Sequence, residues 1–286
     1  MANFTQINLD LQGVLKRTYA DLLYRSSFMN FLNEDYIGEI RNTGVPIIEV
    51  MKTNAPTVNS RQKVELESAL TPALVTYDSV KVDLTELRMD FSFRIPVLVT
   101  GSNIASAIDS AIREKDSEMA TTIDTYGYGK LGTNTNIEEV QWAPATKEAY
   151  IDAINNIKAK LFNAKVYDTY RLGLDVTEYA HYVSALTSVL KFETLAGVEG
   201  VDRGEIANAY GVDAFPIASA VLKNDEIGYC GNPVAVVGDA FFTETNQFNG
   251  NYPGFPGYYV VEGNVLFGAE VVRPEAIVRL VAEISG

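Results

Sequence analysis

From Leu87 to Val97 every odd position is apolar (Leu87, Met89, Phe91, Phe93, Ile95, Val97), and Arg88, Asp90, Ser92, Arg94 and Pro96 stand between them. A period of two held that long predicts a half-buried strand, well beyond the usual five or six residues. Val80, Val82 and Leu84 alternate with Lys81, Asp83 and Thr85 just upstream, which extends the expectation to one long ribbon. Downstream the period turns helical: Ile104, Ile108, Ala111, Ile112, Met119, Ile123 and Tyr126 mark one face. Gly101 and Ser102 open that helix, and Gly127, Gly129 and Gly132 are expected to end it. A ribbon running into one long helix suits a protein that reaches out to neighbours more than one that closes over a substrate.

The rest of the chain alternates helical and extended patterns. Leu11, Val14, Leu15, Tyr19, Leu22 and Leu23 predict a first helix, capped by Asp10 and ended at Ser26–Ser27. It is either packed on its own subunit or laid on a neighbour. Val45–Val50 reads as a short buried strand. A polar stretch, Thr53–Thr76, then carries Arg61, Lys63, Glu65 and Glu67 and forms the outer end of an excursion from Val45 to Val97. Thr146–Phe162 is an amphipathic helix, Tyr170–Leu174 a strand and Val176–Leu190 a helix. Strands are expected at Ala214–Ala218 and Val234–Val237, a loop over Asn246–Gly257, and strands at Tyr258–Val261 and Leu266–Arg273 before a closing segment, Ala276–Ile284. This mixture predicts an α+β fold, with length enough for one large domain or two modest ones.

Chemistry finds little purchase. His181 is the only histidine, so the commonest acid–base group occurs once, on a predicted helix with aromatic neighbours. Cys230 is the only cysteine. It forms no intramolecular disulfide, lies at no metal-ligand spacing from His181, and has no local base or positive field to activate it. The run from Gly127 to Thr133 fails as a phosphate loop, because Leu131 follows Gly-Lys where Ser or Thr is required. No pair of carboxylates is singled out by its spacing. The net charge of −14 argues against broad phosphate-driven nucleic-acid binding, since Lys158, Lys160 and Lys165 are only a scatter on a helix face. The opening MANFTQINLD lacks a secretory pattern, and no apolar run reaches membrane-spanning length.

Four stretches resemble the major capsid proteins of tailed bacteriophages, which share the Hong Kong 97 fold. VKVDLTELRMDFSFRIPV, running into SNIASAIDSAIREKDSEMATTIDTYGYGKL, is similar to the family's elongated-loop strand and the spine helix that ends at Asp124. YIDAINNIKAKLFNAKVYDTYRLGLDVTEYAHYVSA resembles the helix, strand and helix that begin the axial domain. RGEIANAYGVDAFPIASAVL resembles a loop leading into a strand, and GYYVVEGNVLFGAEVVRPEAIVRL resembles the closing block. The resemblance covers most of the chain beyond about residue 75, and it rests on order and spacing.

The resemblance implies an N-terminal arm (1–44), an extended β-hairpin loop with flanking strands (45–98) and a peripheral domain with the spine helix (99–140). An axial domain (141–255) and closing strands (256–286) follow. It implies a coat protein without cofactor or catalytic residues that assembles with itself into hexamers and pentamers. It further implies a separate scaffolding protein, a portal, and DNA packaged without sequence-specific contacts, in a virion capsid built in the host cytoplasm with no membrane. Arg61, Lys63, Glu65, Glu67, Arg88 and Arg94 would form the assembly surface of the loop. Ile104, Ile108, Ile112, Met119 and Ile123 would form the core face of the spine helix. An encapsulin-type compartment and an α+β enzyme are the competing expectations.

Overall fold

The computed structural model describes residues 25–33, 35, 46–53, 77–96, 103–167, 169–189, 211–223 and 225–282. Strands β1 (Ile47–Thr53) and β2 (Tyr77–Asp83) pair antiparallel, with Ile47 opposite Asp83 and Thr53 opposite Tyr77. The excursion thus leaves and returns along one hairpin. One face of it carries Ile48, Val50, Val80 and Val82, which pack with Leu84, Val237, Phe241 and Val272 into a small core of their own. The other face leaves Ile47 and Met51 exposed.

The alternation from Val80 to Val97 is not one ribbon. The Asp83 carboxylate takes the Thr85 N–H at 2.8 Å and the Thr85 hydroxyl at 2.7 Å. Such a side-chain turn competes with a ladder and ends β2. Strand β3 (Leu87–Pro96) then enters a different sheet, pairing antiparallel with β9 (Phe255–Val271) from Leu87 opposite Phe267 to Pro96 opposite Tyr258. On the far side of β9 lies β8 (Val236–Tyr252).

The predicted loop Asn246–Gly257 is also corrected. Most of it is strand: β8 runs to Tyr252 and β9 begins at Phe255, with the turn at Pro253–Gly254. Gly254 has φ +86, open to glycine without strain. The Asn- and Gly-rich sequence is absorbed as register shifts between Phe242 and Thr245 and between Asn249 and Asn251, while β9 supplies a continuous partner.

Helix α1 (Asn103–Thr133) has 31 residues, a rod of about 46 Å. It runs through Asp124, Gly127 and Gly129, so none of these ends it, and stops at Thr133, one residue past Gly132. Two of the glycines have packing reasons instead, and Gly129 has none. A Cβ on Gly127 would overlap the ring of Phe28, and one on Gly132 would sit 2.5 Å from Glu226 Oε1 and 3.1 Å from Lys223 Nζ.

The second sheet has the order β4-β10-β7-β5-β6, from β4 (Glu138–Gln141), β10 (Ile277–Val281), β7 (Glu226–Gly231), β5 (Tyr170–Asp175) and β6 (Val212–Ile217). β10 runs parallel to β4 and antiparallel to β7, while β5 runs antiparallel to β7 and parallel to β6. Helices α2 (Lys147–Asn163) and α3 (Val176–Val189) pack with it. The Thr146 hydroxyl oxygen caps α2 by accepting from the Ala149 N–H at 3.3 Å, and Tyr150, Ile154, Ile157 and Leu161 are its buried stripe. The expected strand at Val234–Val237 splits into a 3-10 turn, Pro233–Ala235, and the start of β8. One main core joins α1, both helices, this sheet and the inner face of β3 and β9.

Candidate assembly surface

The arm hairpin is fixed to the body at its base. Leu84, fully buried, donates its N–H to the Pro46 carbonyl at 3.0 Å. The chain there crosses directly over Gly268 of β9, where any Cβ would stand 2.7 Å from the Leu84 Cα. Only glycine allows that approach, so the hairpin leaves the three-stranded sheet at a set place.

Beside this crossing lies a polar junction between three elements. Lys130 of α1 reaches Glu86, in the turn between β2 and β3, at 2.7 Å, and Glu270 of β9 at 3.4 Å. The Tyr126 hydroxyl donates to Glu86 as well. The Lys130 hydrogen bond, then that of Tyr126, holds the Glu86 carboxyl below its usual range. Burial, then the bond to Glu86, pushes the Tyr126 phenol up to about 12. Burial works against the charge of Lys130, but Glu86, Tyr126 and Glu270 outweigh it and raise its pKa.

A second junction ties residues 26–32 to α1. Asp124 accepts from the Ser26 hydroxyl at 2.6 Å, the Phe28 N–H at 2.9 Å, the Ser27 hydroxyl at 3.0 Å and the Ser27 N–H at 3.2 Å. Burial pushes its pKa up, and these donors oppose that shift. The 3-10 turn Phe28–Phe31 that follows inserts two fully buried rings. Phe28 meets Tyr128 and Phe267 edge-on at 5.5 Å and 6.3 Å, over the gap left by Gly127. Arg171 donates to the Asn30 carbonyl from β5, so the turn also touches the second sheet.

The C-terminus of α1 is capped by two cations on its Gly132 carbonyl, Lys223 Nζ at 2.5 Å and Arg279 Nη1 at 2.8 Å. Positive charge at that end complements the helix dipole. Arg279 Nη2 continues to Glu139 at 2.7 Å, which locks α1 to β10 and β4.

Of the loop residues expected from sequence, Arg61, Lys63, Glu65 and Glu67 lie outside the described residues. Arg88 is exposed on β3 and pairs with Asp90 at 2.9 Å. Arg94, six residues further on, stacks over Phe255 at 4.3 Å and Tyr258 at 5.4 Å. On α1, Met119 and Ile123 are buried. Ile104, Ile108 and Ile112 belong to the helix, but their side chains lie outside the described residues.

Sequence reasoning missed Asp124, Lys130 and Arg279. For Asp124 a signal existed: it adjoins Ile123 on the helix stripe, and a carboxylate on an apolar face needs hydrogen-bonding partners. Arg279 gave none, because its partners Gly132, Glu139 and Glu226 all lie more than fifty residues away.

The remaining chemistry is sparse. His181 is exposed on α3, with Nδ1 3.3 Å from Glu178. Cys230 is buried, and burial pushes its thiol up to about 12, with Lys158 opposing. Among the described residues no group of three or more His, Cys, Asp or Glu could hold a metal, and no helix is long and apolar enough to cross a membrane.

A hairpin arm, a spine helix, a three-stranded sheet on that helix and a second, mixed sheet with two helices make up the Hong Kong 97 fold of tailed-phage capsid proteins. A solved structure from Mycobacterium phage Che8 matches with a TM-score of 0.58 and 17% identity, over 89% of this chain and 90% of that one. The capsid structure of the cyanophage P-SCSP1u matches with a TM-score of 0.55 and 13% identity, over 84% of each chain. The asymmetric unit of the mature capsid of bacteriophage PhiM1 matches with a TM-score of 0.52 and 11% identity, over 84% of this chain and 83% of that one. No family model matches the sequence, and no curated protein does.

Proposed function

We propose that this chain is the coat subunit of a tailed-phage shell, a structural protein that assembles with itself and performs no catalysis. The observation that carries the reading is the backbone likeness to solved phage capsids over more than four-fifths of the chain. The anchored hairpin arm supports it. A two-stranded ribbon that exposes Ile47 and Met51 is marginal alone and gains from a neighbour's cover.

In this reading the subunit forms hexamers and pentamers around closed symmetry axes. The segment carrying Arg61, Lys63, Glu65 and Glu67 reaches an adjacent subunit, and Arg88 and Arg94 belong to the same assembly surface. The stripe Ile104, Ile108, Ile112, Met119 and Ile123 holds the spine helix to its core. The peripheral domain spans 99–140 with the spine helix, the axial domain spans 141–255, and the closing strands 256–286 follow. A separate scaffolding protein and a portal take part, assembly occurs in the host cytoplasm, and the capsid confines DNA without reading its sequence.

Negative-stain microscopy of the purified full chain tests this. Closed shells large enough for a genome are expected. Compact particles of one or a few subunits at every concentration and ionic strength would overturn the proposal.

A further inference from the structure

Four strands form the edges of the two larger sheets, and three of them are blunted. β4 has four residues, β6 contains Pro216, and β8 breaks register twice along its length. Short strands, prolines and bulges are the devices that keep an edge from pairing with another chain. β3 has none of them: it makes ten successive pairs with β9 without a shift, and its one proline is terminal. Among the described residues no strand pairs with its other side.

We propose that this edge pairs antiparallel with the β3 edge of a second copy of the chain, across a two-fold axis through Ser92, so that two three-stranded sheets become one of six. The sequence of β3 selects both the occupant and the register. With the axis at Ser92, Asp90 of each copy faces Arg94 of the other, and Phe91 faces Phe93. Opposite charges and aromatic rings directly across a ladder are both favourable.

The neighbouring registers are poorer: an axis at Phe93 overlaps seven residues and sets Asp90 opposite Pro96 and Arg94 opposite Ser92, with no ion pair. An axis at Asp90 sets that carboxylate against itself, and one at Phe91 sets Arg88 against Arg94. One at Met89 overlaps only five residues. A shift by a single residue would set the polar face of one copy against the apolar face of the other.

Phe91 and Phe93 are half-buried within the subunit, so the partner strand would cover ring surface that the subunit leaves open. The intrachain pair of Arg88 with Asp90 is largely exposed on both sides, a contact weak enough in water to be exchanged. This pairing goes beyond the shell reading and stands apart from it.

Oxidative crosslinking of the full chain reads the register. Ser92→Cys places two thiols opposite one another, with Cα atoms about 4.5–5.5 Å apart, inside disulfide reach. Asp90→Cys and Arg94→Cys each lie about 13 Å along the strand from their own copy, out of reach. The buried Cys230 is the background. Under mild oxidant Ser92→Cys should give a covalent dimer at least tenfold faster than either of the other variants alone. An equimolar mixture of Asp90→Cys with Arg94→Cys should give the mixed dimer.

Asp90→Arg added to Ser92→Cys should abolish the dimer, and further addition of Arg94→Asp should restore it. Equal rates for the three single variants, or no dimer from folded Ser92→Cys, would overturn the pairing. Shells without the crosslink would refute this contact and leave the shell reading intact. Crosslinked dimers that never form shells would do the reverse.

Discussion

Two glycines one turn-fraction apart on α1 should respond to alanine with opposite signs. In a helix interior Gly→Ala gains about 1 kcal/mol from reduced backbone entropy in the unfolded chain. At Gly129 nothing lies within 4 Å of the new Cβ, so that gain should appear nearly whole. At Gly127 the new carbon would overlap the Phe28 ring, with Cδ2 at 2.5 Å, where an ordinary carbon contact is about 3.5–4.0 Å. Phe28 has little room to retreat: it is fully buried, edge-on to Tyr128 and Phe267, and its N–H is held by Asp124.

Overpacking of a tight core costs about 1–3 kcal/mol, and a ring pinned on three sides belongs at the upper end. After subtracting the propensity gain, Gly127→Ala should be destabilising by about 1–2 kcal/mol and Gly129→Ala stabilising by up to ~1 kcal/mol. Urea denaturation of unassembled subunit, followed by tyrosine and Trp142 fluorescence, reads both as midpoint shifts at constant slope. Hydrogen exchange should place the Gly127→Ala damage at Phe28–Leu32. Equal midpoints for the two variants would refute the view that Gly127 is a socket for Phe28.

Asp124→Ala should cost about 2–6 kcal/mol, because the Ser26 hydroxyl and the Phe28 N–H stay buried without an acceptor, at about 1–3 kcal/mol each; Ser27→Ala should cost far less. A denaturation midpoint unchanged by Asp124→Ala would show the clamp to be incidental. The folded-state pKa of Glu86 lies below its unfolded value, so its stabilising contribution is present above that value, near 4.5, and is lost as pH falls through the folded pKa. Glu86→Gln should therefore flatten the acid limb of the stability profile, and an identical limb in parent and variant would contradict this. Replacing Thr57–Thr76 by a short Gly-Ser linker should leave near-native circular dichroism but no closed shells; normal shells would show the segment dispensable. Filter binding of subunit to DNA at low salt should show weak retention, and tight binding with a steep salt slope would reveal phosphate contacts that the −14 charge does not lead one to expect.

Element type was legible in the sequence wherever one periodicity ran unbroken. The alternation of Leu87–Pro96 and the stripes of α1 and α2 need no knowledge of partners, because one face of each must be buried. Sheet membership was not legible. β2 carries its apolar residues at even positions up to Leu84 and β3 at odd ones from Leu87, so the pattern slips phase at Thr85–Glu86, where Asp83 captures Thr85, but nothing in it tells that the two strands enter different sheets.

The glycines of α1 misled because composition cannot distinguish a glycine that stops a helix from one that admits a ring, and Phe28 is 99 residues away. Asn246–Gly257 misled for the converse reason: β9 is long enough to hold a poor strand former in its ladder. Of the surface set, the exposure of Arg88 and Arg94 follows from their even positions on β3. The Lys130 and Arg279 junctions depend on contacts distant in sequence that no local pattern announces.

The position of β9 and β10 has a kinetic consequence. β9 is the middle strand of one sheet and β10 lies inside the other, yet both come from Phe255 onward. Leu87 must wait for Phe267, 180 residues later in synthesis, before its strand has a partner. A nascent chain on the ribosome therefore holds β3, β4 and β8 without the strands they pair with, and a chain cut short before Phe255 completes neither sheet. Closing contacts so remote in sequence makes for slow folding and prolonged exposure of apolar strands, a burden for chaperones during rapid synthesis. The same arrangement delays the complete interaction surface until β9 and β10 have been made, so fragments arising from premature termination lack the surface needed to enter an assembly.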